Sequence, residues 1–118
     1  MIVDDEAIIR RLLSSMLGQE NTIIEAEDGE AAVRLARRHK PDLILMDMMM
    51  PKMDGYTACK TLKSAPETNT IPIVMVTATG HVLNMKLSRE MGADGYVTKP
   101  FSQQDLLDTV DRFLKSPK

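Results

Sequence analysis

Tryptophan is missing from this chain, and aromatic residues make up only 3% of it, so its core has to be built from Ile, Leu, Val, Met and Ala. Cysteine is nearly missing too. The single Cys59 cannot form an intrachain disulfide, which suits a reducing compartment. It sits among polar residues with no base beside it, so it reads as a small core residue rather than a nucleophile. Neither sign of charge dominates: 15 basic residues face 17 acidic ones, and a net charge of −2 argues against a direct nucleic-acid module. The nearest approach to a basic patch is Arg34, Arg37, Arg38, His39 and Lys40, which reads as a solvated helix end complementing the helix dipole. No charged-then-apolar leader opens the chain, and no apolar run approaches membrane-spanning length. A cytoplasmic protein without membrane insertion is expected. Repeats, low-complexity stretches and internal linkers are absent as well. Residues 1–118 are therefore read as a single domain, long enough to bury roughly two-thirds of its unfolded surface without staples.

What is present is alternation. Met1-Ile2-Val3 reads as a strand stub, and residues 6–17 carry Ile8, Ile9, Leu12, Leu13, Met16 and Leu17 at helical spacing, closed by Gly18. Residues 22–26 read as a second strand. Asp28-Gly29 reads as a turn, and Ala31, Ala32, Leu35 and Ala36 mark a second helix stopped by Pro41. Residues 43–46 are a continuously apolar strand, as expected when both faces are covered. A third helix opens at Asp54-Gly55 and runs to about Lys63, with Tyr56, Cys59 and Leu62 on its core side. Residues 71–76 read as a fourth strand, 82–91 as a weakly amphipathic fourth helix, and 96–98 as a fifth strand. The last helix follows Ser102, a plausible N-cap. Five β-α units are too few for a barrel and predict an α/β fold, an open, doubly wound parallel sheet with helices on both faces. Such sheets carry their sites beyond the carboxyl ends of the strands.

At those ends stand Asp4 and Asp5 after the first strand, Asp47 after the third, Thr77 after the fourth and Lys99 after the fifth. Any one of these could be an ordinary loop residue; their recurrence at successive strand ends argues for a site. Three carboxylates held together repel unless a cation lies between them. A hard cation such as Mg²⁺ accepts oxygen ligands and favours phosphate as a further one. A metal, an ammonium and a hydroxyl converging on one carboxylate suit phosphoryl transfer, with the carboxylate as nucleophile. His39 and His81 have no partner at metal spacing and are assigned to the surface. Glu6 is read as first-turn helix chemistry.

The stretches "IVDDE" (2–6), "DLILMDMMMPKMDG" (42–55), "IPIVMVTA" (71–78) and "GADGYVTKPF" (92–101) together resemble the receiver domain of two-component response regulators, over essentially the whole chain. The resemblance implies a CheY-like, flavodoxin-like (βα)5 sheet of strand order 2-1-3-4-5. It implies that Asp47 is the phosphoacceptor, and that Asp4, Asp5 and Asp47 hold Mg²⁺ together with the main-chain carbonyl of Met49. Thr77 and Lys99 would contact the phosphoryl group, and Lys99-Pro100 would be a cis peptide. Thr77 and Tyr96 would be switch residues, and Ala78 is small enough to leave the phosphoryl site open. The implied donor is a phosphohistidine on a sensor histidine kinase or a histidine phosphotransfer protein.

As a switch, phosphorylated Asp47 would draw Thr77 toward it and let Tyr96 turn inward, changing the surface around residues 78–114 that a partner reads. Such a protein is not an enzyme in the ordinary sense, though it assists its own phosphorylation and dephosphorylation. Met49 and Thr79, each two positions beyond a site residue, lie where the family tunes dephosphorylation, and a bulky Met49 is expected to lengthen the phosphoryl lifetime. Only three residues precede Asp4, fewer than the family's first strand usually has. The end at Lys115-Ser116-Pro117-Lys118 favours a stand-alone receiver, a monomer or weak dimer, over a regulatory part of a larger regulator or hybrid kinase. An Asp-nucleophile phosphatase is disfavoured, because its D-x-D spacing after the first strand is missing. A nucleotide binder is disfavoured because no Gly-rich loop follows that strand.

Overall fold

The computed structural model describes residues 1–18, 21–78, 90, 92–99 and 101–114, the side chains of residues 77 and 78 excepted. Within them run β1 (Ile2–Val3), α1 (Ala7–Leu17), β2 (Glu25–Ala26), α2 (Gly29–His39), β3 (Ile44–Asp47), α3 (Gly55–Ser64), β4 (Ile73–Ala78), β5 (Gly95–Lys99) and the last helix, α4 (Gln103–Leu114). The five strands form one parallel sheet in the order β2-β1-β3-β4-β5, as anticipated. Of the helix expected over 82–91 only Glu90 is described; His81, Thr79 and Pro100 lie outside the described residues.

Element boundaries moved for local reasons. The second strand, expected over 22–26, shrinks to Glu25–Ala26, although the Ile24 carbonyl still accepts from Ile2 N–H at 2.8 Å. The fourth begins at Ile73 because Pro72 has no N–H to give the ladder, while its carbonyl still accepts from Ile44 N–H at 3.0 Å. Asp28-Gly29 is more than a turn. Asp28 caps α2, its Oδ1 accepting from Ala31 N–H at 2.8 Å, and Gly29 is the first helical residue. Asp54 caps α3 in the same way through Thr57 N–H, and Ser102 Oγ accepts from Asp105 N–H at 3.0 Å, the cap expected for α4. α2 ends as Lys40 turns left-handed (φ 47°) just before Pro41.

Alternation along the strands sorts the core onto two faces. Val3, Ile44, Met46, Ile73 and Met75 point to the side covered by α2 and α3; Ile2, Leu45, Val74 and Val76 point to the side covered by α1 and α4. Covering both faces leaves the carboxyl edge as the place where strand ends can meet a ligand. Among the described residues, no helix is long and apolar enough to cross a membrane.

Candidate functional site

β1 pairs with both β2 and β3, so its carboxyl end lies inside the sheet edge rather than at its margin. Asp4 follows directly. It is buried, its N–H donates to the Ala26 carbonyl at 3.1 Å, and its Oδ1 accepts from Glu6 N–H at 2.9 Å. Its own carbonyl accepts from the Arg10 guanidinium, whose Nε also pairs with Glu25 at 3.0 Å. Asp5 is exposed, and Asp47, the last residue of β3, is partly buried. Each of Asp4, Asp5 and Asp47 offers a carboxylate oxygen, and these oxygens all lie within 4.8 Å of one another. Lys99 ends β5 and reaches back over β4, its Nζ 3.5 Å from Asp4 Oδ2 and 3.8 Å from Asp47 Oδ1. The backbone of Thr77 sits on β4 one position past Val76, the partner of Asp47, at the same edge.

Burial pushes the Asp47 carboxyl up to about 6 from its ordinary 3.8. The Lys99 ammonium opposes that rise, the Asp4 carboxylate adds to it, and hydrogen bonds from the Met48 and Met49 backbone oppose it. Three carboxylates face one ammonium here, so the site is short of positive charge. The donor set fits Mg²⁺: it is all carboxylate oxygen, and oxygens around an ion with bonds of about 2.1 Å stand roughly 3–4 Å apart, close to the spacing present.

The structure therefore brings together four of the residues singled out in the sequence: Asp4, Asp5, Asp47 and Lys99. Met49 is 75% exposed, a rim position, whereas Met46 is fully buried and Met48 nearly so. Tyr96 is half-buried on β5, opposite Met75, packed against the α2–α3 side of the core. Cys59 is buried, and burial pushes its thiol up to about 12, as suits a core residue. His39 is exposed. Sequence reasoning passed over Arg10 and Lys52. Arg10 holds the backbone of Asp4, and Lys52, left-handed at φ 66°, stands 3.8 Å from the buried carboxylate of Asp28. Neither follows a periodic pattern, since both contacts join elements through space.

The model of the response regulator receiver domain matches residues 1–111. The chain is 44% identical over 118 residues to the probable transcriptional regulator ycf27 of Cyanophora paradoxa, covering 98% of this chain and 47% of that protein. It spans about half the length of the curated relatives it matches. Among solved structures it resembles the signal receiver domain of a signal transduction histidine kinase from Syntrophus aciditrophicus (TM-score 0.91, 35% identity, 99% of this chain and 89% of that one). It also resembles the receiver domain of a sensor histidine kinase from Pseudomonas aeruginosa PAO1, solved with a magnesium ion in its active-site cleft (TM-score 0.90, 28% identity, 98% and 95%).

Proposed function

The chain belongs to the response regulator receiver domain family, and from that premise we propose that Asp47 accepts a phosphoryl group and so switches the protein's surface. One observation carries the reading: three carboxylates from two strand ends converge within 4.8 Å, and the ammonium from a third strand reaches two of them. Asp4, Asp5, Asp47 and the Met49 main-chain carbonyl are the groups that would hold Mg²⁺, which when bound supplies positive charge against the phosphoryl oxygens.

The chain's own part begins with the ionised Asp47. Its carboxylate oxygen forms a bond to phosphorus while the phosphorus–nitrogen bond of a donor phosphohistidine breaks, the electron pair leaving with the imidazole. Lys99 favours the ionised form of Asp47 beforehand and neutralises one phosphoryl oxygen afterwards. In this reading the Thr77 hydroxyl donates to another phosphoryl oxygen, Tyr96 responds to its displacement, and Ala78 and Thr79 act as modulating residues. The donor is a sensor histidine kinase or a histidine phosphotransfer protein, and the read-out is the surface around residues 78–114.

A stand-alone receiver is one form this function takes. A second reading is favoured by the relatives' length: the domain governs an output segment in a longer regulator, of which it spans about half. In either case the working compartment is the cytoplasm, and the domain needs no membrane or direct nucleic-acid contact of its own.

The test is intact-mass analysis after incubation with Mg²⁺ and a small acyl phosphate. Wild type gains the mass of one phosphoryl group, Asp47→Ala gains none, and Lys99→Ala gains it far more slowly. No gain by wild type would overturn the proposal. Turnover of a simple phosphate ester that survives Asp47→Ala and vanishes in Asp4→Ala would point to a phosphatase instead.

A further inference from the structure

The loop from Met48 to Asp54 carries the Met49 carbonyl and sends backbone hydrogen bonds from Met48 and Met49 to Asp47. Its placement is therefore part of the site's geometry. One end is fixed by its own helix: Gly55 N–H donates to the Met48 carbonyl at 2.9 Å. The other end is fixed from outside the site. Gly29 N–H, at the start of α2, donates to the Met53 carbonyl at 2.9 Å. The approach is so close that a Cβ at Gly29 would run into that carbonyl and lie 2.8 Å from the Met53 Cβ, backbone and near-backbone atoms that cannot swing aside. Beside this bond, Lys52 adopts a left-handed φ of 66°, a conformation that favours glycine, and sets its ammonium 3.8 Å from Asp28 Oδ2. Asp28 is itself buried and engaged in capping α2.

We infer that the N-terminus of α2, through Asp28 and Gly29, is a positioning element that clamps the 48–54 loop and thereby sets how tightly the carboxylate site holds a divalent cation. Asp28, Gly29 and Lys52 are positioning residues; none touches the reacting atoms. The inference rests on the proposed reading of the Asp4–Asp5–Asp47 site. Outer groups that aim ligands typically change metal affinity by about 10- to 100-fold when lost. The loop is gripped at two points, so loss of either grip alone should fall toward the low end.

The experiment measures Mg²⁺ binding to the whole chain by calorimetry, with the rise in unfolding temperature on Mg²⁺ addition as a second readout. Gly29→Ala should weaken Mg²⁺ binding by on the order of tenfold and shrink the Mg²⁺-induced rise. Phosphorylation by a small acyl phosphate should slow at limiting Mg²⁺ and recover at saturating Mg²⁺. Lys52→Ala keeps the same backbone preference while deleting an exposed ion pair, and should give the same pattern at roughly a few-fold. If Gly29→Ala does not fold, Lys52→Ala and Asp28→Asn, which keeps a cap acceptor, decide the matter. Variants that bind Mg²⁺ as wild type does would overturn the inference while leaving the phosphoacceptor reading intact. A wild type that binds no Mg²⁺ would remove that reading first.

Discussion

The two faces of the sheet are packed with different kinds of side chain. Under α2 and α3 the helices present Ala31, Ala32, Ala36, Ala58, Cys59 and Leu62, and the strands and the site loop meet them with Met46, Met48 and Met75 among branched Val3, Ile44 and Ile73. Under α1 and α4 the contacts are branched: Leu13, Leu17, Leu106 and Val110 against Leu45, Val74, Val76 and Val97, with Phe113 alongside. Small helix residues let α2 and α3 lie close to the sheet, and unbranched methionines fill the irregular gaps that remain. The loop bearing Met48, Met50 and Met53 rests on this side. The face that must carry a functional loop thus mixes branched residues with small and adaptable ones, while the described buried set opposite holds neither alanine nor methionine.

The sharpest way to test this contrast is to cut into the branched face. Leu106→Ala should lower stability by about 2–5 kcal/mol in urea unfolding, because the neighbouring Leu and Val side chains collapse poorly into the space. On the other face the damaging change is enlargement. Ala36→Leu, at a position with no exposure, should cost about 1–3 kcal/mol by the same measurement. A cost for Ala36→Leu near zero would mean that the methionines yield more than close packing allows.

Between the faces lies the edge, and its test is pH. The Asp47 carboxyl holds its proton to about 6 in the folded protein and to about 3.8 when unfolded. The folded state therefore binds more protons between those values, and stability contributed by this group falls as pH rises from 4 to 6. The drop should be about 1–2 kcal/mol after allowance for solvent screening. It is read as the difference between wild type and Asp47→Asn in metal-free buffer, and should diminish when Mg²⁺ is added. A difference that stays level across that range would show that Lys99 already neutralises the site. The smallest effect should come from Met46→Leu, which conserves volume in the adaptable face and should cost less than about 1.5 kcal/mol; a larger cost would erase the contrast between the faces.

Much of this arrangement could be read in advance. The order of elements followed from apolar periodicity, and the convergence of Asp4, Asp5, Asp47 and Lys99 followed from parallel strands ending on one edge. Strand ends were less legible: Pro72 delays β4 by denying it a donor, and the ladder at β2 is only two residues long. Among the methionines after Asp47, sequence alone did not separate buried Met48 from half-buried Met50, because a loop has no period to sort its faces. The clamp of Gly29 on Met53 was hidden for a further reason. Asp28-Gly29 already had a sufficient local explanation as a turn, and nothing local marks a backbone contact between a helix start and a loop from the next β-α unit.

The position of β1 also has a consequence in time. Ile2 and Val3 are made before either of their neighbours, yet they hydrogen-bond on one side to β2 and on the other to β3, where Val3 is matched with Met46. On a ribosome, this strand emerges with both edges bare and waits through α1, β2 and α2 before its second neighbour exists. A partly synthesised domain would expose an apolar strand edge during that interval, the kind of surface on which nascent chains aggregate and chaperones act. The feature that brings Asp4 inside the sheet edge thus also leaves an apolar strand edge uncovered while the domain is being made.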